Sequence, residues 1–366
     1  MHLYSLPLLI SLIFCLSCAK KKTSQISSSS FIEKELTTVF RFSESDSVFF
    51  RRISDLKMNR HGNILVRDFY QKSLFVFDDS GNFRQKIGRE GAGPGEFGLI
   101  GGFILNKENN ELIVLDRAYF KIETFALKGD KYEHKTSYKL KEAEDYGYPL
   151  SIIGTEIILQ KFPTFYGQSL EHKNDFIFSL ITKTGEVKDD TLFTFKGNDA
   201  LIKDSGELLS ANKPQGIKSY FTSNFEDEIY AVRSDSLTVH KFNTEGKKSL
   251  LFSHSLTPKP IPLSFKDSLL NTLDNPHKAE ARKQFPNFFP MVTGIVADNG
   301  ERIWLELNSD SLRKGWFVFS RNGEPLFFFQ KPNNSATLHS IKNNKVMWSY
   351  LNEENAPTFV ISTFEL

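Results

Sequence analysis

The chain has 366 residues, of which 40% are hydrophobic and 13% aromatic, and its 46 basic side chains nearly balance its 44 acidic ones. With no basic block beyond residues 20–22, this balance excludes the clustered positive charge of a nucleic-acid-binding protein. Both cysteines, Cys15 and Cys18, lie near the N-terminus. The remaining chain therefore cannot form a disulfide and must be stabilised by a hydrophobic core, for which it is long enough.

Residues 3–17 form an almost wholly apolar run that ends just before Cys18. The run is shorter than the roughly 20 residues of a membrane-spanning helix, so it is typical of a signal peptide covering residues 1–17. Ser17 and Cys18 resemble the lipobox of bacterial lipoproteins, which implies that Cys18 becomes the lipidated first residue of the mature chain. Several acyl chains would give stable anchoring. Simple secretion and a retained anchor are the alternatives.

Residues 18–34 include four consecutive serines, 27–30, and are predicted to form a flexible tether between the lipid and a domain over residues 35–366. Within the lipoprotein resemblance, Ala19 stands where an aspartate would imply retention at the inner membrane in some bacteria. We therefore expect the outer membrane of a bacterial cell envelope.

The domain consists of repeats, most clearly at residues 63–68 and 111–116. Each copy is followed by an aromatic strand and a turn, at Gly81 and Gly129, which gives a period of about 48 residues. Four short strands per unit at this period predict the blade of a β-propeller, whereas a helical solenoid would show 3.6-residue periodicity.

Weaker copies continue to the C-terminus and bring the number of predicted blades to six. They begin with residues 156–161, 228–233, 302–306 and 345–350. The sixth copy lacks an outer strand, whereas residues 36–42 form a strand in excess before the first copy. We therefore predict an all-β six-bladed propeller in which the N-terminal strand completes the last blade and protects its edge.

The 35 phenylalanines are expected to fill the wedges between twisted sheets. Two insertions interrupt the repeats, at residues 197–216 and 257–290. The second predicts a small helical insertion near 263–285, because Phe265, Leu269, Leu270 and Leu273 share one helical face. Asn275 is predicted to cap a second helix that begins at Pro276. This helical pair is interpreted as a packed decoration, or alternatively as a lid or partner surface.

Residues 88–97 join the first two copies and contain four glycines and one proline, which favours a tight and reproducible connector. This connector, together with the spacing from Asp68 to Phe77 and from Asp116 to Phe125, resembles the NHL-repeat type of six-bladed propeller over residues 48–138. The resemblance implies that both aspartates hydrogen-bond the loop that follows them. The whole chain is similar to the bacterial six-bladed propeller lipoproteins.

Catalytic motifs are absent from the sequence. The match to G-x-G-x-x-G at residues 93–98 is followed by Leu-Ile-Gly-Gly, which does not begin the helix that a dinucleotide site needs. There is no G-x-S-x-G elbow, H-E-x-x-H motif or cysteine pair for zinc. We assign no catalytic residue, metal ligand or cofactor.

Candidate ligand-binding residues lie where second strands end on one face of the ring. Arg67, Lys161 and Arg233 could form a basic rim for an acidic glycan or carboxylate, and the alternative is that they are solvated loop ends. Tyr350 occupies the corresponding position in the last blade. Tyr148 and Tyr220 lie just ahead of inner strands and could stack on a sugar ring.

Two classes of function follow from these features. The first is a monomeric binding module of the cell envelope, attached to the membrane by its N-terminal lipid and recognising a protein or glycan ligand. The alternative is a metal-dependent lactonase or lyase with its site at the central channel, as in some six-bladed propellers. The basic residues at the channel end disfavour a divalent cation, which prefers oxygen ligands.

Overall fold

The structure is a computed structural model that describes residues 24–45, 48–140, 147–162, 175–223 and 228–366. The predicted signal peptide and Cys18 lie outside these residues. Six sheets, each with four antiparallel strands, form a ring, and two of them gain a fifth, parallel strand from the N-terminal segment. In blades 1–5 the four antiparallel strands follow chain order from the innermost outward. This arrangement confirms the predicted all-β six-bladed propeller.

The second strands of all blades and the third strands of blades 1, 2, 5 and 6 are mostly buried on both faces, whereas the third strands of blades 3 and 4 alternate between buried and half-buried side chains. The outer strands are mostly half-buried or exposed. The strands of blade 1 are Ile53–Met58, Ile64–Asp68, Ser73–Phe77 and Phe83–Ile87. Those of blade 2 are Ile100–Leu105, Leu112–Asp116, Lys121–Lys128 and Lys131–Lys139. Those of blade 3 are Gly147–Ile153, Glu156–Lys161, Asp175–Thr182 and Val187–Lys196. The strands of blade 4 are Ser219–Ser223, Ile229–Arg233, Leu237–Phe242 and Lys248–Ser255. Those of blade 5 are Val292–Ala297, Arg302–Leu307, Gly315–Ser320 and Pro325–Phe329. Blade 6 consists of Thr337–Lys342, Lys345–Leu351 and Pro357–Thr363, and its outer strand is Thr37–Phe42 from the N-terminus.

The ring is closed by the N-terminal strand, as predicted. Thr37–Phe42 pairs antiparallel with Pro357–Thr363, so that Arg41 lies opposite Val360. The two ends of the chain therefore share the last blade, and its outer edge is covered by a strand from the N-terminus.

The N-terminal segment also covers two further blades, which differs from the expected tether. Ser24–Gln25 runs parallel to the outer strand of blade 4, and Ile32–Lys34 runs parallel to the outer strand of blade 5. Ile26 and Phe31 are buried. The Phe31 ring packs edge-on against those of Phe317 and Phe319, with centroids 4.9 and 5.3 Å away. Over residues 24–34 the segment is thus part of the folded domain, because these two apolar side chains anchor it.

Phenylalanines fill the spaces between blades, as expected. Phe178 and Phe193 of blade 3 stack with centroids 4.3 Å apart, and Phe193 stacks in turn on Phe242 of blade 4 at 4.1 Å. Four described phenylalanines are exposed to solvent instead: Phe49 and Phe162, and Phe265 and Phe288 of the second insertion.

The connector between blades 1 and 2 is held by a buried ion pair. Lys121 Nζ lies 2.6 Å from Glu123 Oε1 and also donates to the carbonyls of Gly93 and Glu96, both at 2.7 Å. Gly88 has φ +81°, and a Cβ there would lie 2.3 Å from the Phe97 ring. The connector can therefore fold tightly over Phe97 only with glycine at this position.

The two insertions pack together beside blade 4. The first contributes the short strands Leu201–Ile202 and Leu208–Ser210, and the second contributes α1 (Leu263–Leu270) and α2 (Asn275–Gln284). Leu201, Leu270, Ala281 and Phe285 form their common core. The predicted cap of α2 is wrong by one residue, because the side chain of Asp274 accepts the hydrogen bond from the His277 N–H. Within the described ranges, neither α1 nor α2 nor any other helix has the length and apolar character to cross a bilayer.

Candidate functional site: an arginine-lined channel mouth

The innermost strands line the central channel, and most of them are interrupted at the same level. Among the described pairings, register shifts in five of the six blades leave one extra residue in the innermost strand: Ser54, Gly101, Leu150, Thr293 and His339. Such bulges bend a strand and redirect its side chains, and they are common next to functional sites.

Cavities lie at both ends of this channel. The first, of about 370 Å³, lies where innermost strands begin and second strands end, and we call it the channel mouth. It is lined by residues of blades 1, 2, 3 and 6: Arg52, Ile53, Ser54, Arg67, Phe69, Leu99, Ile100, Gly101, Arg117, Tyr148, Thr337, His339 and Ser349. The second, of about 300 Å³, lies at the opposite end and is lined by all six innermost strands.

Arg67 is held in the channel mouth by three hydrogen bonds. Its Nε donates to Ser54 Oγ at 2.8 Å, and its Nη1 donates to the carbonyls of Ile100 at 3.2 Å and Gly101 at 2.7 Å. These acceptors belong to two bulged strands of adjacent blades. The bulges thus fix a guanidinium group across the interface between blades 1 and 2.

Arg117 reaches the same cavity from the end of the second strand of blade 2. Its Nη1 donates to the hydroxyl of Tyr148 at 2.8 Å, and its Cζ lies 4.8 Å from the centroid of the Tyr148 ring. A Cβ at Gly101 would lie 2.6 Å from Arg117 Cγ, so the missing side chain at this position makes room for the arginine.

Arg52 completes the cationic wall from the start of blade 1. Its guanidinium lies 5.4 Å from the ring centroid of Phe69 and 6.0 Å from that of Tyr70. Such cation–π contacts orient a guanidinium without neutralising its charge.

In the described part of the chain, the three arginines of the channel mouth have no direct carboxylate partner, although the charge of Asp55 acts on His339 in the same wall. Within the described ranges, no carboxylate oxygen forms an ion pair with Arg52, Arg67 or Arg117. Asp68 is close in sequence but is fully buried, and its oxygens accept from the N–H groups of Arg51, Arg52, Tyr70 and Gln71. Three guanidinium groups around one cavity favour an anionic ligand.

A neutral hydrogen-bonded pair lies beside the arginines. His339 Nε2 lies 2.7 Å from Ser349 Oγ, and His339 lines both cavities. Burial lowers the pKa of His339 to about 4; the charge of Asp55 opposes this shift, and the charges of Arg67 and Lys57 add to it. The imidazole is therefore uncharged at neutral pH.

The structure brings together only two of the six residues predicted to bind ligand. Arg67 and Tyr148 line the channel mouth. Lys161 Nζ instead binds Asp190 Oδ1 at 2.9 Å, and Arg233 lies 3.6 Å from Asp235 Oδ1.

The two remaining predicted residues also lie away from the lining of both cavities. Tyr220 is half-buried against the core of blades 4 and 5, and burial raises its pKa. The ring of Tyr350 lies under the guanidinium of Arg41, 5.8 Å away.

The two aspartates that recur in the repeat, Asp68 and Asp116, have the loop-fixing role that the resemblance implies. The oxygens of Asp116 accept from the N–H groups of Gly98, Leu99 and Ala118 at 2.8–3.0 Å. Neither aspartate lines a cavity. These interactions explain why the aspartates recur without assigning them to a ligand.

The opposite cavity combines aliphatic walls with a few charged groups. Lys57 Nζ lies 3.6 Å from Asp55 Oδ2 and donates to the Phe103 carbonyl at 2.7 Å. Burial lowers the pKa of Lys342. Among the residues with described positions, no three His, Cys, Asp or Glu side chains are grouped as metal ligands would be.

The fold and its closed ring define a six-bladed β-propeller. The chain belongs to the DUF5128 family, described as a 6-bladed beta-propeller, whose model matches residues 17–257. None of the curated proteins compared with this chain matches it.

Solved structures share the fold at low sequence identity. A protein from Bacteroides fragilis NCTC 9343 that its name classes as exported is 14% identical, with a TM-score of 0.58, over 94% of this chain and 98% of its own. A member of the DUF4221 family from Bacteroides vulgatus is 13% identical, with a TM-score of 0.55, over 91% of this chain and 98% of its own. Virginiamycin B lyase from Staphylococcus aureus is 11% identical over 88% of this chain and 98% of its own, with a TM-score of 0.46.

Proposed function

We propose that this protein is an exported binding module of the bacterial cell envelope that recognises acidic ligands at the channel mouth. The observation that carries the proposal is the group of Arg52, Arg67 and Arg117 around one cavity of about 370 Å³ without a paired carboxylate among the described residues. A cavity of this size accommodates a small molecule or the end of a polymer.

The ligand class follows from the walls of the cavity. Guanidinium groups recognise carboxylates and other oxyanions through charge-assisted hydrogen bonds. The half-buried ring of Tyr148 supplies a flat surface of the kind on which a sugar ring packs. An acidic glycan combines both features and is our proposed ligand, with an acidic segment of a protein as the alternative partner.

Export and anchoring rest on the N-terminus. The apolar run before Cys18 supports a signal peptide, and a protein of the same fold is named as exported. We propose that Cys18 carries the lipid and that the protein acts as a monomer at the outer membrane. Metabolic labelling with a palmitate analogue tests this: wild-type protein incorporates the label, and a Cys18→Ser variant does not.

The binding proposal is tested by melting temperature with polygalacturonate as the acidic glycan and dextran as the neutral one. We expect polygalacturonate to raise the melting temperature and dextran to leave it unchanged. The double variant Arg52→Gln/Arg117→Gln loses the effect, whereas Arg282→Gln, an exposed arginine on α2, retains it. Equal shifts for the double variant and wild type would show that the glycan binds elsewhere.

A further inference from the structure

Within the proposed function, the hydrogen bonds of the channel mouth distinguish between kinds of anion. A carboxylate has two oxygens in one plane, and the two parallel N–H groups of a single arginine satisfy both, a pairing that two oxygens of a phosphate can also make. A phosphate or sulfate ester has three terminal oxygens that point in three directions. The number of arginines and the N–H groups they leave available therefore decide which anion fits.

Arg67 cannot offer a ligand two parallel N–H groups from two nitrogens. Its Nε is used by Ser54 and both hydrogens of its Nη1 are used by the carbonyls of Ile100 and Gly101. Only Nη2 is left, and no described residue accepts from it. Arg67 can thus contribute N–H groups from one nitrogen, rather than a two-nitrogen fork, to a ligand.

Arg117 and Arg52 approach from other sides. Arg117 follows the second strand of blade 2 and is partly committed to Tyr148 through Nη1. Arg52 precedes the innermost strand of blade 1 and is oriented by Phe69 and Tyr70. Among the described contacts, Arg117 and Arg52 each keep N–H groups on two nitrogens. One of them can therefore contact two oxygens of an anion, and Arg67 Nη2 can contact a third from another side.

Gly101 brings two of these donors together. Its carbonyl holds Arg67 Nη1, while the space beside its Cα is occupied by Arg117 Cγ and Cδ, which would lie 2.6 and 2.7 Å from an added Cβ. Gly101 does not adopt a positive φ, so the glycine is required for space and not for backbone conformation. A side chain at position 101 would push Arg117 away from Arg67.

We infer that the channel mouth binds a phosphate or sulfate ester, an oxyanion with three terminal oxygens, in preference to a carboxylate. Each arginine supplies a contact to a different oxygen. Desolvated contacts of this kind add together, so the loss of any one arginine weakens binding.

The test uses four compounds with the same sugar ring: glucose 6-sulfate, glucose 6-phosphate, glucuronate and glucose. We expect calorimetric titration of the purified protein to show both esters binding at least tenfold more tightly than glucuronate, and glucose not binding. Sulfate and glucuronate both carry one negative charge, so their comparison separates oxygen number from charge. Tight binding of the phosphate alone would show that charge decides and would overturn the inference.

The outcomes also separate this inference from the proposed function. Glucuronate binding as tightly as the esters would overturn the oxyanion preference and leave the acidic-ligand site intact. If none of the three acids bound more tightly than glucose, the preference for esters would be wrong. If polygalacturonate also failed to raise the melting temperature, the proposed function would be wrong.

Substitutions in the channel mouth test which residues bind the ester. Arg52→Gln and Arg117→Gln are each expected to weaken glucose 6-sulfate binding about tenfold, whereas Arg282→Gln has no effect. Gly101→Ala should weaken it similarly in wild type but cause no further loss when Arg117→Gln is already present, because Gly101 acts by positioning Arg117. Independent, additive losses from the two changes would contradict this role.

Discussion

The guanidinium of Arg117 lies 4.8 Å from the centre of the Tyr148 ring and donates to the hydroxyl of the same tyrosine at 2.8 Å. Blade 2 supplies the arginine and blade 3 supplies the tyrosine, so this contact ties the orientation of a channel-mouth cation to the interface between two blades. The contribution of the Arg117–Tyr148 hydrogen bond to ligand binding can be measured separately from that of the aromatic ring.

Tyr148→Phe removes the acceptor for Arg117 and keeps the ring. We expect binding of trigalacturonate to weaken by roughly three- to tenfold, which corresponds to about 0.7–1.4 kcal/mol, as measured by calorimetry. Tyr220→Phe is the matched control, because Tyr220 does not line the channel mouth, and should bind as wild type does. A Tyr148→Phe variant with unchanged affinity would exclude the hydrogen bond from ligand recognition.

Phe31→Ala tests whether the N-terminal segment belongs to the folded domain. Phe31 is 7% exposed and packs on Phe317 and Phe319, so its loss should reduce the free energy of unfolding by about 3–5 kcal/mol. Ile32→Ala, at a side chain that is 63% exposed, should change it by less than about 0.5 kcal/mol. Urea unfolding measures both, and equal, small effects would restore the flexible-tether interpretation.

Glu123→Gln should destabilise the connector between blades 1 and 2. Burial tends to raise the pKa of Glu123, but hydrogen bonds from Lys121, Ser137 and His134 outweigh burial and hold the pKa below its usual value of 4.5. Replacing the carboxylate leaves the buried Lys121 ammonium without its counter-ion, at a cost of about 3 kcal/mol at pH 7.

The pH dependence of this effect has a definite sign. Because the pKa of Glu123 is lower in the folded state, its stabilising contribution is complete above about pH 4.5 and is lost as the pH falls through the folded-state pKa. The difference in unfolding free energy between wild type and Glu123→Gln should therefore shrink in acid. Glu133→Gln, at an exposed ion pair with Lys128, should show little difference at any pH.

His277 links the two insertions and should titrate above a normal histidine. Hydrogen bonding to Asp274 and to the Leu209 carbonyl raises the pKa of His277. Both partners are acceptors, so the charged ring donates from both nitrogens. The stabilisation it provides is complete below about pH 6.5 and is lost as the pH rises through the raised pKa. NMR titration should give a His277 pKa above 6.5 that falls in Asp274→Asn, and a value at or below 6.5 in wild type would contradict the link.

Metal removal should leave ligand binding unchanged. The proposed site relies on arginines, which do not bind cations, and we expect elemental analysis of the purified protein to show no stoichiometric divalent ion. Affinity for trigalacturonate should be the same before and after EDTA treatment. A stoichiometric ion whose removal abolishes binding or reveals a dependent activity would favour the lactonase or lyase alternative.

Much of the fold could be predicted because it repeats. The pattern at residues 63–68 recurs at residues 111–116, and the spare strand before it pairs where the last blade needs one. The segment before that strand was harder to interpret, since its serines suggest a tether. Only two buried side chains, Ile26 and Phe31, keep it on the outer edges of blades 4 and 5, and such isolated apolar residues have no periodicity to detect.

The channel mouth could be predicted only in part because it depends on contacts between blades. The strand-end rule predicts Arg67, which lines the channel mouth, but also Lys161 and Arg233, which pair with Asp190 and Asp235 and do not line it. Tyr148, which does line it, is predicted from its place just ahead of an inner strand. Arg117, one residue beyond a strand end, gains its role from the space at Gly101. The bulges that create this geometry leave no signal in a single sequence.

The most direct test of the account is a crystal structure of the protein with bound trigalacturonate. We predict a ligand oxyanion within about 3 Å of Arg117 and of Arg67 Nη2, with a sugar ring against Tyr148. A trisaccharide bound at the opposite cavity or on the outer blade edges, with the channel mouth unchanged, would contradict the account.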